Sequence, residues 1–229
     1  MIKYTKEKWE NLKFKFPGSE KIEENFSQAH QDIFVLTMLN GKENGTFLEI
    51  GAFDAKFISN TFLLEKVFNW EGISIDIEKS AQDSFISHGR LGEFILHDAL
   101  SLDYDQILSR RFPEGRIDYL MIDIEPTEKS LECLKMIPLD KFRFSVITYE
   151  TDFYDPNTPV DLKEYIKEES RRILKENGYE MIVGNICNTS EKFPFEDWYV
   201  DPSVINPEII SKFKASEEYN LTSDKYLLS

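Results

Sequence analysis

The chain has 229 residues, 41% of them hydrophobic and 14% aromatic, and a formal net charge of −15. That is enough apolar material for one large core, and the acidity excludes a nonspecific grip on nucleic-acid phosphates. The two cysteines, Cys133 and Cys187, are far apart and without metal-ligand spacing, so reduced core thiols in a cytoplasmic protein are expected rather than a disulfide framework or a zinc site.

The first ten residues carry charge throughout and lack the apolar core of a signal peptide. No run approaches the roughly 20 apolar residues that span a bilayer. Residues 1–25 are rich in Lys and Glu, with Trp9, Leu12, Phe14 and Phe16 interspersed before Pro17-Gly18. They are predicted to form an arm packed on a single domain over 26–229. A helix is predicted from Ser27, with Ser27 as its N-cap and Asn40-Gly41 as its stop. His30 falls inside it and is expected on an exposed face.

From there short apolar runs alternate with amphipathic ones. Strands are predicted over 46–50, 72–76, 93–96, 117–123, 144–149 and 179–184, and helices over 59–68, 79–88, 103–111, 128–136 and 160–177. Near-continuous apolar strands alternating with helices predict an α/β fold with a mostly parallel sheet covered on both faces. Such sheets bind ligands beyond the carboxyl ends of their strands, so the residues there carry the functional reading.

The first strand ends in Glu49, Gly51 and Asp54. Gly51 admits a close backbone approach, but the dinucleotide fingerprint needs three glycines, and Phe53 and Lys56 stand where the later ones belong. Asp54 would also repel a pyrophosphate. A sulfonium amino acid, cationic at sulfur and at its ammonium, suits nearby carboxylates. S-adenosylmethionine is the expected ligand, against a dinucleotide or a purely structural turn. Asp76, at the end of the second strand, can accept both hydroxyls of an adenosine ribose, or cap a helix. Asp98 can accept from an adenine amino group while Ala99 leaves room for the ring, or cap a turn.

The fourth strand delivers Asp123 and Glu125, with Pro126 next and Glu128 opening a helix. The fifth delivers Glu150, with Asp152 two residues on. Carboxylates this close repel one another unless a proton, cation or substrate donor intervenes. Paired at adjacent strand ends, they can position and deprotonate a hydroxyl, or chelate a divalent metal through oxygen. The first is preferred, and no metal site is assigned. His30, His88 and His97 are scattered. Neither a Ser-centred elbow nor a phosphate loop is present.

These stretches resemble, in order, the motifs of the FkbM family of S-adenosylmethionine-dependent methyltransferases, from about residue 26 to residue 204. Ser27-Gln28-Ala29-His30-Gln31-Asp32 is similar to its entry helix, Glu49-Ile50-Gly51-Ala52-Phe53-Asp54 with Ser59-Asn60-Thr61 to its glycine turn, and Trp70-Glu71-Gly72-Ile73 to the lead into its second strand. Asp123-Ile124-Glu125-Pro126-Thr127-Glu128, Val146-Ile147-Thr148-Tyr149-Glu150 and Glu196-Asp197-Trp198-Tyr199-Val200-Asp201-Pro202 parallel its fourth, fifth and closing motifs. Ala55 and Pro126 stand where that pattern has glycine.

The resemblance implies a class I methyltransferase Rossmann-like fold: a seven-stranded, mostly parallel sheet with helices on both faces and one antiparallel strand near the C-terminus. It implies methyl transfer from S-adenosylmethionine, released as S-adenosylhomocysteine, to a hydroxyl on a sugar, a glycan or a secondary metabolite. Asp123, Glu150 and Glu125 would be catalytic. Gln28, Glu49, Gly51, Asp54, Ser59, Asn60, Asp76, Asp98 and Ala99 would hold the cofactor, and Phe193 to Tyr199 would wall the acceptor. Two rival readings are a non-catalytic binding or assembly module of the same fold and a nicotinamide-dependent oxidoreductase.

Overall fold

A computed structural model describes residues 10–187, 193–214 and 220–229; Trp9 lies outside them. Seven strands form one sheet in the order β3-β2-β1-β4-β5-β7-β6. They are β1 (Thr46–Ile50), β2 (Glu71–Asp76), β3 (Glu93–Leu96), β4 (Arg116–Ile122), β5 (Arg143–Glu150), β6 (Glu180–Cys187) and β7 (Pro194–Val200). β1 pairs in parallel with β2 and β4, and β4 with β5, whereas β7 runs antiparallel to β5 and β6. The helices are α1 (Gln31–Met38), α2 (Phe62–Phe68), α3 (Lys79–Ser87), α4 (Tyr104–Arg111), α5 (Glu128–Met136), α6 (Val160–Glu176), α7 (Pro207–Phe213) and α8 (Ser223–Leu227).

Both faces of the sheet are buried, which is why its central strands read as continuous apolar runs. On one face Phe47, Tyr119, Val146 and Trp198 pack under α1, α2 and α7 together with Leu12, Phe16 and Ile22 of the N-terminal segment. On the other, Leu48, Ile73, Leu120 and Ile147 pack under α4, α5 and α6. Trp198 stacks on Phe34 at 4.4 Å between ring centroids, so it belongs to the core. The N-terminal segment is tied to the C-terminal one by a Leu12–Leu228 bridge and by the Lys13 N–H donating to the Leu227 carbonyl at 3.0 Å. Cys133 and Cys187 are both buried.

The entry helix departs from its prediction. It begins at Gln31, and its N-cap is His30, in a left-handed conformation (φ 65). Asp32 is the reason. Its carboxylate accepts from the Ser27 hydroxyl at 2.6 Å, from the N–H of Phe26 at 3.1 Å and of Ser27 at 3.4 Å, and from the N–H of Ile33 at 2.9 Å. Those donors fold residues 26–30 back over the helix start, so Ser27 bridges Ile58 instead of capping. His30 is buried rather than exposed, with Nδ1 2.6 Å from the Ser223 hydroxyl. α2 likewise starts three residues late, because the Ser59 hydroxyl accepts the Phe62 N–H at 3.2 Å and holds residues 59–61 outside the helix.

Candidate active site

The carboxyl ends of β1, β2 and β4 are knitted together by backbone. The N–H groups of Gly51 and Ala52 donate to the Ile75 carbonyl at 2.9 and 3.1 Å, and the Asp123 N–H donates to the Ile50 carbonyl at 3.0 Å. Gly51 adopts φ +89, and a Cβ on it would fall 1.6 Å from the Asp123 carbonyl oxygen. The glycine is therefore required first by the chain itself. It lets the turn after β1 lie directly against the residue that carries Asp123.

Asp76 ends β2 half-buried, with Oδ2 accepting the Phe53 N–H and Oδ1 the Glu78 N–H, both at 2.8 Å. A carboxylate offers about four acceptor positions, so two remain for further donors. Asp98 is exposed beside it, since the His97 N–H donates to the Asp76 carbonyl at 3.0 Å. Asp98 accepts the Leu100 N–H at 2.9 Å, capping the short turn that opens with buried Ala99. Asp98 therefore caps its turn, whereas the helix after β2 has Glu78 as its N-cap and Asp76 does not cap it.

The loop from Ala52 to Thr61 is organised by acids. Asp54 Oδ1 accepts from the N–H groups of Lys56 at 2.9 Å and Phe57 at 2.7 Å, and Oδ2 accepts from the Ser84 hydroxyl of α3 at 2.8 Å. Burial acts to raise its pKa, but these donors prevail and hold Asp54 below the usual carboxylate range. Glu49 is fully buried, accepting from Thr61 Oγ1 at 2.9 Å and from Ser74 Oγ at 2.7 Å. It supports the turn from beneath.

Arg90, between α3 and β3, completes this underlayer. Its guanidinium donates to Glu65 at 2.8 Å, to the Ala55 carbonyl at 2.9 Å and to Thr61 Oγ1 at 2.7 Å. The bridge from Ser27 to Ile58 joins the segment carrying half-buried Gln28 to the one carrying Ser59 and Asn60. Asn60 is buried, and its amide oxygen has no hydrogen-bond partner among the described residues.

Across the Gly51 turn lie the acids of β4, β5 and β7. Burial raises Asp123 to about 6, a hydrogen bond from Glu150 pulls it down, and the charges of Asp152 and Asp76 add to the rise. Glu150 is pushed well above its ordinary value, first by burial and then by the charges of Asp123 and Asp152. The two carboxyls titrate as a pair, and burial with mutual repulsion favours its proton on Glu150, leaving Asp123 the more acidic member. Burial raises Glu125 to about 7, reinforced by Asp152, Asp123, Asp155 and Glu128.

α5 positions the loops around these acids. The Thr127 hydroxyl donates to Asp152 at 2.7 Å, and Ser130 Oγ accepts the Ile124 N–H at 2.8 Å. The peptide between Glu125 and Pro126 is cis. Among the described residues no group of three or more His, Cys, Asp or Glu side chains is arranged to hold a metal ion.

Two further acids, Asp152 and Glu196, stand beside Glu150. Asp152 is buried at a left-handed position (φ 42), within reach of Glu150. Glu196 stands directly opposite Glu150 in the β5–β7 register. It is buried and accepts from the Trp198 indole N–H at 2.5 Å. Burial raises it to about 8 against the pull of that donor. Two consecutive acids, Glu196 and Asp197, in a strand of otherwise apolar residues were the available signal.

A pH dependence follows. Glu196 binds its proton more tightly folded than unfolded, so its contribution to stability is full below its ordinary 4.5 and is lost as pH rises through about 8. Asp123, Glu125 and Asp32, raised to about 6, 7 and 6, act in the same sense. The urea midpoint is expected to fall between pH 5 and pH 8. Glu196→Gln, which keeps an acceptor for Trp198, is expected to reduce that fall, and parallel curves for the two proteins would contradict the assignment.

The sheet order, with one antiparallel strand inserted next to last, and the site at the strand carboxyl ends define the class I S-adenosylmethionine-dependent methyltransferase fold. The chain is similar to a protein of Clostridium thermocellum designated a candidate rRNA-methylase, at 14% identity over 74% of this chain and 92% of that one, with a TM-score of 0.50. It is also similar to an S-adenosylhomocysteine-bound methyltransferase of Podospora anserina (15% identity, 85% and 86% covered, TM-score 0.49). A third similar structure is an S-adenosylmethionine-dependent methyltransferase of Clostridium acetobutylicum (12% identity, 76% and 90% covered, TM-score 0.47). The sequence matches no protein-family model and no curated protein. No helix among the described residues is long and apolar enough to cross a membrane.

Proposed function

We propose that this protein is an S-adenosylmethionine-dependent O-methyltransferase of the FkbM type, acting on a hydroxyl of a sugar or another small metabolite. The observation that carries the reading is the meeting of Asp76, the Gly51 turn and the Asp123–Glu150 pair at one edge of a sheet of this order. The cofactor fits the residues present. The buried, unpartnered Asn60 oxygen suits an ammonium donor, and Asp76 keeps acceptor positions for two ribose hydroxyls. Asp98 and Ala99 border the place for adenine, while Gln28, Ser59 and the Asp54 loop border that for the amino-acid end. Glu49 would act beneath them through Thr61.

When bound, S-adenosylmethionine supplies an electrophilic methyl group on a sulfonium sulfur. Asp123, the more acidic of the pair, would orient the acceptor hydroxyl and take its proton. Glu150, the less acidic of the two, would hydrogen-bond Asp123 and hold it in place. Glu125 is exposed two residues beyond Asp123, near enough to feel its charge. A nicotinamide enzyme is disfavoured by the inserted β7, by Asp54 in place of a pyrophosphate site, and by a Gly51 already filled by the Asp123 carbonyl.

Transfer of labelled methyl from S-adenosylmethionine to a panel of sugars and hydroxylated metabolites tests the reading. Asp123→Asn is expected to lower turnover by about 10²–10⁴-fold while retaining S-adenosylhomocysteine binding. Unchanged turnover in that variant would remove Asp123 from the chemistry. Cofactor binding without transfer to any acceptor would favour the non-catalytic module.

A further inference from the structure

We infer that Tyr154 and Phe193 bind the acceptor of the proposed transfer, and that this acceptor is a hydroxylated amine carrying positive charge. The inference rests on the strand-end site being one for methyl transfer. Tyr154 and Phe193 are 41% and 47% exposed, yet their rings meet edge to face at 6.3 Å between centroids. Both are held at the carboxyl end of β5. The N–H groups of Thr151 and Asp152 donate to the Phe195 carbonyl at 2.6 and 3.0 Å, which ties the loop after β5 to the start of β7. The Asp155 N–H donates to the Asp152 carbonyl at 2.8 Å, so Tyr154 lies inside a tight turn that begins at a carboxylate of the site. Its phenol is pushed up to about 12, by burial and then by the charges of Asp152, Glu150, Glu125 and Asp123.

Three other buried acids of the chain have arginine partners: Glu65 meets Arg90 at 2.8 Å, Asp197 meets Arg171 at 2.7 Å and Asp201 meets Arg143 at 3.1 Å. Among the described residues Asp123, Glu125, Glu150 and Asp152 have no ion-pair partner. Lys167 is engaged nearby, over the Phe153 ring at 4.5 Å and with Glu168 at 3.8 Å. Unbalanced carboxylates beside two exposed aromatic rings suit an ammonium group, through charge-assisted hydrogen bonds and cation–π attraction. A neutral polyol would leave the mutual repulsion of the acids unrelieved.

Calorimetric titration at equal ionic strength, with and without saturating S-adenosylhomocysteine, tests this. The probes are two matched pairs: choline with its neutral isostere 3,3-dimethylbutan-1-ol, and glucosamine with glucose. The charged member of at least one pair is expected to bind the wild type at least tenfold more tightly than the neutral one. Tyr154→Ala is expected to weaken that binding about tenfold with an unchanged ligand-free melting temperature, whereas Tyr154→Phe, which keeps a ring, stays within twofold. Phe193→Ala supplies the same comparison if Tyr154→Ala does not fold. Tyr165→Ala, at a 52% exposed aromatic of α6, is expected to bind like the wild type.

No preference for charge in either pair, or binding by both alanine variants within twofold of the wild type, would overturn the inference alone, leaving methyl transfer to neutral hydroxyls intact. Weaker binding with a lower melting temperature in both alanine variants would overturn it in favour of a structural role. A wild type that neither binds S-adenosylhomocysteine nor transfers methyl would remove the reading beneath it, and the inference with it.

Discussion

Gly51→Ala is expected to destabilise the protein by about 4 kcal/mol or more, placing it among the rare severe single substitutions. Two independent causes combine. The added methyl would fall 1.6 Å from the Asp123 carbonyl oxygen, which is backbone of a central strand end and cannot swing aside. The position also holds φ +89, outside the range in which alanine is comfortable. Relief would require β1 and β4 to separate at their carboxyl ends. That would break the bonds from Gly51 and Ala52 to Ile75 and from Asp123 to Ile50, and would move Asp123 away from the turn. The measurement is a chemical unfolding curve, with the soluble yield as a first sign. A variant as stable as the wild type would mean that the two strand ends are not in contact. By contrast Gly89 and Gly178, at φ +60 and +79, have nothing within 4 Å of an added Cβ. There only the backbone strain remains, and alanine should cost about 1 kcal/mol.

The order of strands and helices was legible because buried parallel strands must be apolar throughout and their helices amphipathic. β1 and β3 match their predicted limits, and α6 stops before Gly178 as its sequence indicates. What could not be read locally was decided by partners distant in sequence. Ser27 looks like a helix cap until Asp32, five residues on, gathers its hydroxyl and two backbone donors. Arg90 lies between Gly89 and Leu91-Gly92, a composition that suggests a surface turn, and only folding carries it to Glu65 and Thr61. Removing such a buried cation would leave Glu65, with a side chain 2% exposed, held by Lys66 and the Leu91 N–H alone.

The acids of the site divide in the same way. Asp76, Asp98, Asp123 and Glu150 were visible because each ends or follows a strand. Glu196 lies within β7, and its place beside Glu150 depends on antiparallel register, which local pattern does not encode. The same limit applied to Gly51. Its glycine signature suggested room for a ligand, whereas the room is taken by the carbonyl of Asp123. The turn thus links the proposed binding half of the site to the proposed catalytic half.

The central claim is that the edge formed by Asp76, the Gly51 turn and Asp123 binds S-adenosylmethionine. Asp76 would accept two ribose hydroxyls through charge-assisted hydrogen bonds, each worth about 1.5–3 kcal/mol, so its removal should cost on the order of 100-fold in affinity. The most direct measurement is calorimetric titration of S-adenosylhomocysteine into the wild-type protein and Asp76→Ala, with NAD as the comparison ligand. One site per chain is expected for the wild type, with affinity lost in Asp76→Ala and no heat from NAD. Absence of binding by the wild type, or equal binding by Asp76→Ala, would contradict the account.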